Sequence, residues 1–246
     1  MHTLRTRFAK DIVTEFLPPN KKSQKVVIIC SGMPSVPAKK DVMEFFAKKG
    51  FWVFYPRYRG TWESGGTFLQ KSPHQDVLDV ISGITKGFTD FYSKKKFKIT
   101  PKKLFLMGSS FGGPAVILAS NDSRVTKVVA LSPVIDWRAQ GKTEPLSWLK
   151  WFTKEAFGNG YRFNKNSFRK LYSGSFYNPM SQVDKLDGNK LLIIHAKDDK
   201  VVPLKPAIRF SKKTGSKMII IQKGGHLSLS ALVKPSMYNK VKKMLK

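Results

Sequence analysis

The residues with the clearest capacity for chemistry are Gly108-Ser109-Ser110-Phe111-Gly112, which fit the pattern Gly-x-Ser-x-Gly. A short apolar run over 104–107 precedes them and an apolar helical run over 115–119 follows. Strand, sharp turn and helix in that order lift such a serine clear of a sheet edge, and the glycines let strand and helix approach. A hydroxyl is a weak nucleophile: it needs a base, and the base needs an orienting group. Near neutral pH the base is a histidine. His226 follows the last predicted strand, within Gly224-Gly225-His226. By contrast, His195 ends a strand and reads as packed or loop-bracing, His74 opens a helix, and His2 lies in the terminal tail. Three carboxylates stand at strand ends between serine and histidine: Asp136, Asp198 and Asp199. The chemistry implied is acyl transfer, in which Ser110 attacks a carbonyl, His226 takes and returns the proton, and water hydrolyses the acyl-enzyme. The backbone N–H of Phe111, at a helix N-terminus, is placed to stabilise the oxyanion.

These groups need a scaffold that brings strand ends together. Apolar, β-branched runs at 25–30, 51–55, 104–107, 127–131, 190–195 and 217–222 predict strands, several of them buried on both faces. Two shorter segments, 4–8 and 12–17, predict a small antiparallel start. Helices are predicted at 41–49 and 235–245, and from Ser72 or Pro73 onward, where Val77, Val80, Ile81, Ile84, Phe88 and Phe91 form an apolar stripe. Strands alternating with helices predict a mostly parallel sheet covered on both faces. One gap, between 131 and 190, exceeds a single crossover helix and is dense in aromatic residues. Residues 137–183 therefore read as a small, mostly helical cap inserted into a core of 1–136 and 184–246. The cap lies over the sheet's C-terminal edge, where open α/β sheets bind ligands. Trp137, Trp148, Trp151 and Phe152 are its candidate pocket residues.

The 246 residues suit one domain with a sizeable core. Cys30 is the only cysteine, so no intramolecular disulfide forms. No apolar run is long enough to span a bilayer. No apolar signal core follows the basic segment 1–10, and a cytoplasmic location is the expectation. The net charge of +29 arises from lysines scattered in short clusters without a nucleic-acid motif. A solvated surface with nonspecific polyanion binding at low salt is expected, rather than specific nucleic-acid recognition.

Two further stretches carry a family resemblance. His195-Ala196-Lys197-Asp198-Asp199-Lys200-Val201-Val202-Pro203 resembles the acid loop His-Gly-x-x-Asp-x-x-Val-Pro of α/β-hydrolases, with Ala196 in place of glycine. Aligning Val202-Pro203 assigns the acid to Asp199, with Asp198 as the fallback; some members carry it at the position of Asp136. Ser31-Gly32-Met33-Pro34 resembles the family's His-Gly-x-Pro loop, which makes the Met33 N–H the second oxyanion donor although Ser31 replaces histidine. The order Ser110, Asp199, His226 is the family's order. The loop from Tyr58 to Gly66 resembles a turn of prolyl-oligopeptidase-like hydrolases, in which Arg59 and Ser64 are structural. The resemblance spans residues 25–245 apart from the cap, and implies an α/β-hydrolase fold. With it, the aromatic residues of the cap favour a carboxylesterase acting on short- to medium-chain or aromatic esters; no cofactor is expected, and no histidine–carboxylate cluster at ligand spacing points to a metal. The alternatives are a prolyl-oligopeptidase-like peptidase or aminopeptidase, for which Glu63, Glu144 and Glu155 look too scattered to hold a substrate amine, and a non-catalytic relative.

Overall fold

The computed structural model describes residues 2–245; Met1 and Lys246, which the predicted core includes, lie outside them. Among the described residues there are ten strands. β1 (Leu4–Phe8) and β2 (Ile12–Leu17) form the antiparallel start, and β3 (Lys25–Cys30), β4 (Trp52–Pro56), β7 (Lys103–Ser109), β8 (Lys127–Leu131), β9 (Leu191–Ala196) and β10 (Lys217–Ile221) complete one sheet. Its order is β1-β2-β4-β3-β7-β8-β9-β10, antiparallel from β1 to β4 and parallel from β4 to β10.

The period-two alternation of β3 shows how the sheet builds two cores. Val26, Ile28 and Cys30 face one layer, which contains α2 (Pro73–Lys86), α3 (Gly112–Ala119) and α6 (Leu204–Thr214). Val27 and Ile29 face the other, which contains α1 (Lys40–Lys48) and α7 (Pro235–Val241). All eight residues of α3 are buried, as a helix apolar on every side must be.

Two predicted helices are corrected and one is added. The helix from Pro73 stops at Lys86, because Gly87 leaves the helical region with φ of 110°. Phe88 then joins β5 (Phe88–Thr89), which pairs with β6 (Lys96–Phe97). There it packs among Phe8, Phe16, Phe54 and Phe97, so aromatic packing overrides the helical spacing of Phe88 and Phe91. The closing helix turns 3-10 from Lys242. The helix α6 lies in a stretch where the sequence reading placed none.

The segment 137–183 contains α4 (Leu146–Phe157), a short α5 (Arg169–Tyr172) and 3-10 turns. It is sewn to the loop after β4. Trp62 N–H donates to Gly160 O at 2.9 Å, Arg162 N–H to Gly60 O at 2.7 Å, and Phe68 N–H to Arg162 O at 2.7 Å. Ser64 is fully buried: its hydroxyl donates to Arg57 O and accepts from Val13 N–H, each at 2.9 Å. Arg59 meets Asp11, Asp76 and Asp79. Both residues are bound up in holding the loop. Among the described residues, no helix is long and apolar enough to cross a membrane.

Backbone also approaches backbone closely where β7 turns into α3. A Cβ on Gly108 would sit 2.2 Å from Gly112 O, and one on Gly112 would sit 2.1 Å from Cys30 O. These are backbone atoms and cannot rotate away. Gly112→Ala is expected to lower stability in urea by about 2–3 kcal/mol or more, the cost of overpacking a rigid interior; a midpoint equal to that of the parent would contradict the contact.

Candidate active site

Ser110 occupies the turn between β7 and α3 with φ of 53°, a left-handed conformation that a residue with a side chain adopts only when its surroundings impose it. Ser110 N–H donates to Leu131 O at 2.9 Å, and Ser110 O accepts from Gly113 N–H at 3.0 Å and Val134 N–H at 3.2 Å. The backbone is thus clamped on both sides of the serine.

Asp199 and His226 come together across two loops at the same sheet edge. His226 Nδ1–H donates to Asp199 Oδ2 at 3.0 Å, with Oδ1 at 3.2 Å. The carboxylate is fully buried, whereas the imidazole is 26 % exposed. Ser110 and His226 line one cavity of about 310 Å³ without a direct hydrogen bond between them. Such contacts commonly close only when substrate arrives.

Burial pushes the Asp199 carboxyl up. Hydrogen bonds from His195, His226, the Val202 N–H and the Ser132 hydroxyl outweigh it and hold the group well below the ordinary carboxylate range. Val201 N–H adds a further bond at 3.0 Å. His195 is fully buried, with Nε2 at 3.0 Å from Val202 O and 3.4 Å from Asp199 Oδ2, which is the loop-bracing role read from the sequence. Asp198 does a different job: its carboxylate accepts from Gly224 N–H and Gly225 N–H, each at 2.9 Å, and so fixes the loop that carries His226. Asp136 is bound to Arg138 and Asn178 and, among the described residues, pairs with no histidine.

The two predicted oxyanion donors flank the serine. Met33 and Phe111 both line a narrow pocket beside Ser110. Among the described residues, neither backbone N–H is engaged by a carbonyl of the turns and loops. The residues behind them are pinned by aromatic polar groups that sequence spacing did not single out. Tyr58 OH donates to Ser31 O at 3.2 Å, Ser31 Oγ to Tyr55 OH at 3.0 Å, and Trp62 Nε1–H to Ser35 O at 3.0 Å. From the segment 137–183, Tyr161 accepts from Ser35 N–H at 3.0 Å and Tyr177 donates to Phe111 O. Their signal in the sequence is only aromatic density, which does not reveal a partner.

The predicted pocket residues divide. Trp148 and Phe152, one helical turn apart and stacked at 4.8 Å, line the cavity with Ser110 and His226. Trp137 lines the narrow pocket, with its indole N–H on Tyr177 O at 2.7 Å. Trp151 lines neither and is 58 % exposed, which corrects the expectation. The physical reason is helical phase. Leu146, Leu149 and Thr153 take the buried face of α4, and Trp151 falls on the side turned away from it. Glu144, judged scattered from the sequence, lines both the cavity and the narrow pocket. Lys39 lines the cavity as well.

The lowered Asp199 carboxyl has a consequence for stability. A carboxylate held below its unfolded value of 3.8 stabilises the fold above that pH and loses the contribution as the pH falls through its folded value. Asp199→Asn should therefore be less stable than the parent at neutral pH, and the gap should narrow below about pH 4. Urea titrations across pH measure it; a gap constant in pH would refute the assignment.

The model of the prolyl oligopeptidase family matches residues 38–245. No curated protein sequence matches significantly. Among solved structures, an esterase of Pyrococcus furiosus is similar at 20 % identity and a TM-score of 0.69, covering 99 % of this chain and 89 % of its own. Est1E of Butyrivibrio proteoclasticus is similar at 18 % identity and a TM-score of 0.63, over 100 % of both chains. An acylaminoacyl peptidase of Pyrococcus horikoshii reaches 18 % identity and 0.69, over 100 % of this chain but only 41 % of its own. At such identities the structures speak for the fold, which is the α/β-hydrolase fold expected from the sequence. With the family model covering most of its length, the chain belongs to the prolyl oligopeptidase family of serine hydrolases.

Proposed function

We propose that this chain is a serine carboxylesterase, with Ser110 as nucleophile, His226 as general base and then acid, and Asp199 as the group that orients the imidazole. The observation that carries the reading is His226, held at Nδ1 by the buried Asp199 and lining the same cavity as the left-handed Ser110. With Nδ1–H held by the carboxylate, Nε2 is the nitrogen free to accept the serine proton. Met33 N–H and Phe111 N–H stabilise the tetrahedral oxyanion, and α3 adds the positive end of its dipole. The acyl-enzyme is then cleaved by water that His226 deprotonates. Residues 137–183 act as a cap: α4 walls the cavity with Trp148 and Phe152 and supports aromatic or short- to medium-chain groups. The narrow pocket, of about 50 Å³ and lined by Val134, Ile135 and Trp137, suits a small acyl group. The Pyrococcus furiosus esterase matches this chain over most of its own length, which favours the ester reading.

A second reading is an aminopeptidase-like activity. Glu144 favours it, since a carboxylate at the junction of cavity and pocket offers a counter-charge to a substrate amine. The peptidase likeness is consistent with it.

The deciding experiment compares p-nitrophenyl esters of increasing chain length with aminoacyl-p-nitroanilides. Esters should turn over, with rates falling as the acyl chain lengthens, and Ser110→Ala should abolish turnover without loss of fold. Anilide turnover equal to ester turnover would transfer the assignment to the peptidase reading, and activity persisting in Ser110→Ala would remove the nucleophile. Asp199→Asn is expected to lower kcat by about 10⁴-fold. Asp198→Asn, which disturbs only the loop of His226, should cost far less; the reverse ranking would move the orienting role by one residue.

A further inference from the structure

The helix α4 has three faces with three environments. Leu146, Leu149 and Thr153 are buried, Trp148 and Phe152 wall the cavity, and Lys150, Trp151 and Lys154 are turned away from both. With residues of α5, this outer face makes a groove of about 500 Å³. Its floor is apolar, formed by the buried Leu146 and Phe168. Its rims are Trp151 and Tyr172, the latter 47 % exposed. Only four large apolar side chains stand out this far among the described residues, and two of them meet here.

The charge around these rings is uncompensated. Lys150, Lys154 and Arg169 line the groove against one carboxylate, Glu155. None of the three cations has an ion-pair partner among the described residues. Elsewhere Arg5, Arg57, Arg59, Arg124 and Arg138 each meet an acid.

Exposed indole and phenol rings flanked by free cations over an apolar floor match the chemistry of an anionic bilayer surface. Such rings sit at headgroup depth, and long cationic side chains reach lipid phosphates while their stems lie on apolar surface. A single-stranded polyanion would engage the rings and charges but leave the apolar floor uncovered. We propose that this outer face docks on an anionic phospholipid surface, with Trp151 and Tyr172 entering the headgroup layer and Lys150, Lys154 and Arg169 meeting its phosphates. The groove shares no lining residue with the cavity of Ser110 and His226, and the proposal holds whichever bond the site cleaves.

The test sediments the full chain with vesicles of phosphatidylcholine alone and with vesicles of roughly three parts phosphatidylcholine to one part phosphatidylglycerol. Salt is set so that screening acts beyond about 8 Å. Binding is expected to the mixed vesicles and to be weak with phosphatidylcholine alone. At about five-fold per charge removed, Lys150→Gln/Lys154→Gln should lower partitioning by roughly twenty- to thirty-fold. Lys212→Gln/Lys213→Gln, which removes the same charge from the exposed end of α6, should lower it far less. Trp151→Ala should weaken binding with no change of charge, and far-UV circular dichroism separates loss of docking from loss of fold. Equal losses in the two lysine pairs, or full binding by Trp151→Ala, would overturn the proposal in favour of diffuse attraction by a chain of net charge +29. Retention of an oligothymidylate that depends on Trp151, without binding to mixed vesicles, would overturn it in favour of a nucleic-acid strand.

Discussion

The structure depends on how closely α3 approaches the sheet. With hydrogen in place of a side chain at Gly108 and Gly112, the first turn of the helix lies directly on the end of β3. That approach forces the chain between them into the left-handed turn at Ser110, and the bonds to Leu131 and Val134 leave it nowhere to relax. The position of the hydroxyl is thus a property of backbone packing rather than of side-chain contacts. Asp199 and His226 are delivered to it by loops leaving the same sheet edge.

Two adjacent carboxylates illustrate how such loops are made reliable. Asp199 is shut away from water, yet imidazoles, two backbone N–H groups and a hydroxyl keep it ionised without a lysine or arginine at hydrogen-bond distance. Asp198 faces solvent and binds the two glycine N–H groups just ahead of His226. One residue orients the ring and its neighbour orients the segment that bears the ring. The flexibility of Gly224 and Gly225 is thereby removed where it would otherwise scatter the imidazole.

Legibility followed the range of the interactions. The turn at Ser110, the strands around it and the loops of Asp199 and His226 were readable, because turn chemistry and apolar periodicity are encoded within a few residues. The end of α2 was misplaced because Phe88 keeps helical spacing but finds better packing among phenylalanines distant in sequence. In the segment 137–183 composition announced burial and little else. Whether a ring faces the cavity, as Trp148 does, or solvent, as Trp151 does, depends on the phase of α4 against the body. The bonds of Tyr161 to Ser35 and of Tyr177 to Phe111 span more than sixty residues and leave no local trace.

The sheet order carries one more implication. The family model begins at residue 38, yet β3 lies before that point and is hydrogen-bonded between β4 and β7 in the middle of the sheet. Ser31 to Met33 also precede it. A fragment trimmed to the boundary of family similarity would lose its central strand together with one of the two backbone donors proposed for the oxyanion. The evolutionary boundary and the cooperative folding unit of this chain do not coincide.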